Sequence, residues 1–238
     1  MIAKLKPYPA YKPSGVEWLR DVPETWQLLR GKFLFSCLDE RSREGKEELL
    51  TVSSEHGVVL RSSANVTMFK AESYVGYKLC WPGDLVINSL WAWARGLGVS
   101  RYHGIISSAY GVYRLRQPYS RYSKYMHWLV RSNPFNYEMR VRSKGIWVSR
   151  LQLTDEAFLD VSFPIPPPED MTAITQFLNH ANRRIGRYIR TREKLIGLLK
   201  EHKQVIIQQV VTGQIDVCLL YTSPSPRDRT RSRMPSSA

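Results

Sequence analysis

Three runs of this 238-residue chain interleave aromatic and basic side chains. Trp91, Trp93 and Arg95 form the first. Tyr113, Arg114, Arg116, Tyr119, Arg121, Tyr122 and Lys124 form the second, and Arg140, Arg142, Lys144, Trp147 and Arg150 the third. Arg101 stands between the first two runs. Basic side chains neutralise phosphates and so bind nucleic acid without regard to sequence. Arg can also set two parallel N–H donors on a guanine edge in the major groove. For any single residue the bland alternative is stronger, with the ring in the core and the charge in water. As a set they favour nucleic-acid contact. Trp91, Trp93, Arg95, Arg101, Arg114, Arg116, Arg121, Lys124, Arg140, Arg142, Lys144 and Arg150 are therefore the candidate nucleic-acid-binding residues.

Patterns that would carry catalysis are missing. There is no Gly-x-x-x-x-Gly-Lys-Ser/Thr phosphate loop and no His-Glu-x-x-His metal helix. Gly96-Leu97-Gly98 reads as a turn. His56, His103, His127, His180 and His202 have no ligand spacing with Cys37, Cys80 or Cys218. Asp39, Glu44 and Lys46 lie in a solvated charge run, so a nuclease centre there is a poor reading. Asn133-Pro134-Phe135 echoes the Asn-Pro-Pro-aromatic box of adenine methyltransferases. It lacks one proline and a preceding glycine-rich loop, and a turn after a short helix is the simpler reading. The expectation is no catalytic residue and no bound metal.

The chain has 35 Lys and Arg against 21 Asp and Glu, a net charge of +14. Residues 218–238 bring four of the arginines, one aspartate and almost no apolar side chains after Thr222. They are expected to be a disordered tail, and the string resembles translated vector sequence, so it reads as a sequence artefact. A natural basic tail is the alternative. Without it 31 basic and 20 acidic residues remain, a charge of +11, which suits a polyanionic partner or a solvated basic surface. Three cysteines make no disulfide framework, and a reducing cytoplasm fits. No run of 18 apolar residues exists to cross a membrane.

The elements that must position these residues fall into zones. Leu49–Ser53 and Val58–Leu60 read as strands around a Glu55-His56-Gly57 turn. Leu85–Asn88 follows Gly83-Asp84, and Ile105-Ile106 and Gly111–Leu115 read as a further pair. Leu159, Val161, Phe163 and Ile165 alternate as a half-buried strand would. Tyr122–Val130 reads as a short helix. After Pro166-Pro167-Pro168, Glu169 and Asp170 put negative charge where a helix N-terminus favours it. Ile174, Leu178, Ala181, Ile185, Tyr188, Arg192, Leu195, Leu199, His202 and Ile206 then follow at spacings of three and four, a heptad seam. Gly213 fits the stop. A helix over 169–211 would run roughly 60 Å, and its seam must pack on another long helix. The fold class is α+β: a mixed globular domain followed by a long coiled-coil-forming helix.

These residues also carry a family resemblance. Tyr11-Lys12-Pro13-Ser14-Gly15-Val16-Glu17-Trp18-Leu19 and Val22-Pro23-Glu24-Thr25-Trp26 resemble the opening of specificity subunits of type I restriction–modification systems, with Arg20 where glycine is usual. Gly83-Asp84-Leu85-Val86 and Gly104–Tyr110 resemble the middle of their target-recognition domain. Phe163–Glu169 resembles its proline-rich exit, although Glu169-Asp170-Met171 replaces the usual Glu-Glu-Gln. Leu198–Gln204 and Val211-Thr212-Gly213-Gln214-Ile215-Asp216 resemble the end of the spacer helix. The resemblance covers residues 8–217.

It implies a division into an N-terminal segment (1–23), a target-recognition domain (24–165), a spacer helix (166–217) and the tail. It also implies a non-catalytic, cytoplasmic subunit that binds double-stranded DNA. Such a subunit chooses the site at which methyltransferase and restriction subunits act, those partners using S-adenosylmethionine and ATP with Mg. The family carries two recognition domains and two spacer helices, and this chain carries one of each. The reading is an N-terminal half of a longer protein, or else a half-size subunit that self-associates through its helix. A protein-binding coiled-coil adaptor, a small DNA-modifying enzyme and an RNA binder remain as rival classes.

Overall fold

The computed structural model describes residues 6–64, 71–147 and 151–217. Arg150 and the expected tail from Cys218 lie outside them. The chain divides into two compact units, residues 1–179 and 180–238.

In the first unit, β1 (Tyr11–Pro13) and β2 (Asp21–Pro23) pair as a hairpin. β3 (Gln27–Arg30), the single turn α1 (Gly31–Leu34) and β4 (Phe35–Leu38) follow. β5 (Leu50–Ser53) and β6 (Gly57–Leu60) form a second hairpin, as their sequence indicates. Next come β7 (Lys78–Cys80), β8 (Leu85–Asn88), β9 (Leu97–Val99), β10 (Gly104–Ile106) and β11 (Tyr110–Leu115). Three helices, α2 (Ser123–Val130), α3 (Asn133–Arg142) and α4 (Asp155–Leu159), precede β12 (Ser162–Ile165).

The central sheet has the order β4-β11-β8-β9, antiparallel throughout. Alternation along its strands covers both faces. Leu85, Ile87, Tyr113 and Leu115 join the larger core with Phe35, Leu97, Phe135, Phe158 and Phe163. Val86 and Val112 point the other way, into a smaller core with Leu50, Val58, Cys80 and Ile106. Burial pushes the Cys80 thiol up to about 12, so it behaves as a packed apolar group. Phe163 sits 5.4–5.9 Å from the rings of Phe35, Phe135 and Phe158. Its strand β12 pairs with β3, Phe163 opposite Leu29, so the two ends of the first unit close on each other.

Three readings are corrected. Ile105-Ile106 and Tyr110–Leu115 are strands, but β10 pairs with β7 while β11 lies in the central sheet. Leu159 ends a helix, because the Thr154 side chain caps α4 by accepting the Ala157 N–H (3.2 Å); the strand begins at Ser162. Asn133-Pro134-Phe135 opens α3 with Ser132 as cap and proline in the first turn, where its missing N–H costs nothing.

Asp84 is the buried charge of the sheet, 1% exposed. Its carboxylate accepts from the Trp81 N–H (2.9 Å) and from Nε and Nη2 of Arg114 (2.8 and 2.9 Å). The β5–β6 hairpin is held from α2. Arg131 donates to the carbonyls of Leu97, Ser54 and Glu55, and His127 Nδ1 accepts the Val99 N–H (3.3 Å). Burial, with the charges of Arg131 and Arg101, holds His127 down to about 4.

α5 (Pro168–Val211) is one continuous helix of 44 residues, about 66 Å at 1.5 Å per residue. Asp170 in its first turn accepts from Trp26 Nε1 and Tyr8 Oη (3.3 Å each). Met171 is buried and Ile174 packs on the larger core, so the first turns belong to the globular unit. Gly213, at φ +71°, ends the helix as expected. Leu178 and Ala181 are half-buried, while Ile185, Tyr188, Leu195, Leu199 and Ile206 are exposed. Ile189, Ile196 and Ile207 are exposed too and flank the seam at about 100° per residue, making the apolar stripe wider than the heptad pattern alone. Arg183, Arg187, Arg190 and Lys194 fall on the side opposite the stripe.

Two predictions follow from this packing. Replacing Asp84 with Ala leaves Arg114 without its main acceptor. It should cost about 2–3 kcal/mol in urea unfolding, below the full value for a buried pair because Arg114 is part-exposed; a loss under about 0.5 kcal/mol would refute the assignment. His127 takes a proton more readily in the unfolded chain, whose value is near 6.5, than in the folded one. Stability should therefore fall as pH drops from about 6.5 to about 4, by about 3 kcal/mol from this group. His127→Gln keeps an acceptor for Val99 and should flatten that part of the pH profile; an unchanged slope would show that other groups carry it.

Candidate nucleic-acid interface

β8 and β9 are joined by the loop that carries the first aromatic–basic run. Asn88 N–H bonds to Gly96 O (2.7 Å) and Gly96 N–H to Trp91 O (2.8 Å), which closes the loop. A Cβ on Gly96 would meet Trp91 O at 2.7 Å, so only glycine allows this closure. Ala92 is buried and anchors a 3-10 turn, Ala92–Ala94. The Trp91 and Trp93 rings stack at 5.8 Å and 17°, and Trp91 is 56% exposed. Trp93 Nε1 donates to Leu90 O (3.0 Å).

Arg95 joins this loop to α3. Its N–H donates to Asn136 Oδ1 (3.1 Å) as well as to Ala92 O, and its guanidinium donates to Asn133 Oδ1. α3 buries Phe135 and Met139 and leaves Tyr137, Arg140 and Val141 exposed on its outer side. Beyond it, Lys144 and Gln152 exchange two backbone hydrogen bonds (2.9 Å each), closing a loop with Ile146 and Trp147 exposed. Leu153 N–H then returns to Ser89 O (3.0 Å), at the end of β8. The segments of the first and third runs are thus tied to each other, through Arg95 to the start of α3 and through Leu153 to the end of β8.

The second run is divided. Arg114 is paired with Asp84 and lies 3.7 Å from Glu40, and the Asp84 hydrogen bonds raise its pKa above the ordinary arginine value. Arg116 donates to Phe35 O (3.1 Å) and remains exposed. Tyr113 is buried, donating to Asp155 (2.6 Å). Arg121 covers the Tyr122 ring and lines a cleft of about 350 Å³ with Tyr119 and the Pro166–Pro168 segment. Lys124 and Arg101 are exposed. In the third run Arg142 is held by Glu138 (2.5 Å), with Asp160 at 3.7 Å. Arg114 and Arg142 therefore brace the fold, whereas Arg95, Arg101, Arg116, Arg121, Lys124, Arg140 and Lys144 form no ion pair with a carboxylate among the described residues.

Sequence reasoning passed over three exposed residues. Tyr137 was hidden by reading its helix as a turn. Trp81 lies against His103, ring centroids 4.0 Å apart and tilted by 39°, with Tyr102 exposed beside Arg101; Trp81-Pro82-Gly83-Asp84 was a turn signal that could have pointed there. The charge of the whole region is one-sided. From Leu85 to Thr154 the chain has a single carboxylate, Glu138, against eleven Lys and Arg. Burial and the charge of Arg95 hold Arg131 below its ordinary value. Among the described residues no group of three metal-ligating side chains occurs, and no helix is long and apolar enough to cross a membrane.

A chain from a structural study of complex assembly and conformational transition in the type I restriction–modification system aligns with a TM-score of 0.53. The identity is 17%, over 84% of this chain and 48% of that one. The HsdS subunit of Thermoanaerobacter tengcongensis aligns with a TM-score of 0.50 and 16% identity, over 86% of this chain and 48% of that one. This chain has the fold of a type I S subunit. It spans about half the length of the solved chains it matches. No protein-family model and no curated protein sequence matches it. The S-subunit fold accounts for a mixed globular unit followed directly by one long helix.

Proposed function

We propose that this chain is a sequence-specific, double-stranded-DNA-binding subunit of a type I restriction–modification complex. The reading is carried by one observation: on an S-subunit fold, an almost carboxylate-free stretch exposes tryptophans, a tyrosine and unpaired basic side chains together. The basic residues hold phosphates and the loop end of β8–β9 with α3 meets the bases. The chain itself contributes no chemistry. Methyltransferase and restriction subunits would act at the site it selects, and S-adenosylmethionine and ATP with Mg belong to them. The cytoplasm is where such DNA lies.

α5 serves as the strut. Its exposed apolar stripe needs a second helix of similar length, in a second half of the protein or in another copy. A coiled-coil adaptor would use the same stripe but would have no need of the aromatic–basic surface.

Two measurements test the reading. The full chain should bind random-sequence duplex DNA with an affinity that falls steeply with salt. Arg116→Ala, Arg140→Ala and Lys144→Ala should each weaken all sequences alike and lower the salt slope by about 1. No salt-dependent binding would favour the adaptor. The mass of the full chain in solution should correspond to a dimer, and Leu199→Glu should return it to a monomer; a wild-type monomer would rule out self-pairing.

A further inference from the structure

Arg95 occupies a backbone conformation that its side chain disfavours. Its φ is +63° at the end of the Ala92–Ala94 turn, in the left-handed region that glycine or asparagine adopts more easily. A non-glycine residue there is strained by roughly 1 kcal/mol. The turn does not require arginine, since Gly96 supplies the close approach to Trp91. The surroundings nevertheless hold the strained form, because the Arg95 N–H is bonded to both Ala92 O and Asn136 Oδ1.

The guanidinium is oriented in an unusual way. Arg30, Arg41, Arg114 and Arg142 all meet carboxylates. Arg95 instead meets the neutral side-chain oxygen of Asn133, through Nη2. That contact aims the planar group without cancelling its charge. Nε and Nη1 have no partner among the described residues. The same loop carries the stacked Trp91 and Trp93 rings.

We infer that Arg95 reads a guanine: its planar fork, aimed by Asn133 while Asn136 holds the backbone N–H, donates to O6 and N7 in the major groove. The inference rests on the DNA-binding reading above and goes beyond it in naming the residue and the base. A phosphate could attract the same guanidinium, and the two sources differ in what they ask of it. A guanine edge needs the two-pronged donor geometry, which lysine reproduces poorly, whereas a phosphate needs mainly the charge.

The test selects bound duplexes from a randomised pool with the full chain, for the wild type, Arg95→Lys and Arg95→Gly, alongside thermal melts. The wild type should enrich a motif with at least one fixed G·C pair. Both variants should lose the preference at one such position, by about tenfold to a hundredfold. Arg95→Gly should melt no lower than the wild type, since glycine relaxes the strained turn. Arg95→Lys, which keeps the charge, guards against misreading a folding defect. If Arg95→Lys keeps the motif and Arg95→Gly weakens all sequences equally with a shallower salt slope, Arg95 is a phosphate contact and the inference fails. If the motif is unchanged in both and Arg95→Gly melts several degrees lower, Arg95 is only a tie to α3 and the inference fails. If the wild type binds DNA but enriches no motif, base reading itself is refuted while phosphate binding stands. If it binds no DNA, the inference and the proposed function fall together.

Discussion

The carboxylate of Asp84 lies at the start of β8, buried, and receives three donors. One comes from the preceding loop and two from Arg114, which stands on β11 at the centre of the sheet. A carboxylate in that position is tolerable only with such partners, and the same partners fix where β8 begins relative to β11. Everything on the far end of β8 inherits that placement: the Trp91–Trp93 loop, then β9, and through Arg95 the start of α3. The placement of the aromatic–basic loop at one end of β8 thus depends on a charge buried at the other.

The parts of the fold visible in the sequence are those whose cause is local. The β5–β6 hairpin surrounds its own turn, and α5 announces itself by prolines, acidic first turn, heptads and terminal glycine. The strand partners of β10 and β11 were not visible, since β7 and β4 are chosen by which face of the sheet each apolar side chain must cover. Leu159 misled because a strand-like alternation of apolar residues ran across a helix end; the Thr154 cap was the competing signal. Asn133-Pro134 read as a break when proline in a first helical turn is a start.

The same distinction governs the candidate interface. Runs of aromatic and basic residues identified the region, but a run cannot say which arginine has a carboxylate folded against it. Arg114 finds Asp84 across the sheet and Arg142 finds Glu138 one helical turn back. Neither is distinguishable by composition from Arg116 or Arg140, which keep their charge on the surface. Trp81 and His103 meet only because β7 and β10 pair, Cys80 opposite Gly104.

The distribution of carboxylates then acquires a physical meaning. Six lie within residues 39–55 and five within 155–170, and three of the second group anchor neighbouring elements: Asp155 accepts from Tyr113, Asp160 from Arg30 and Asp170 from Trp26. Between them a seventy-residue stretch holds one. A surface left so unbalanced repels itself and weakens the folded state. Evenly spaced Asp and Glu would relieve that repulsion at no expense to the core, which is completed by Phe35, Phe135, Phe158 and Phe163. The imbalance is therefore not a requirement of folding. It makes sense as a standing field for a polyanion, and the neutral amide of Asn133 fits the same logic, since it orients a guanidinium while leaving that field intact.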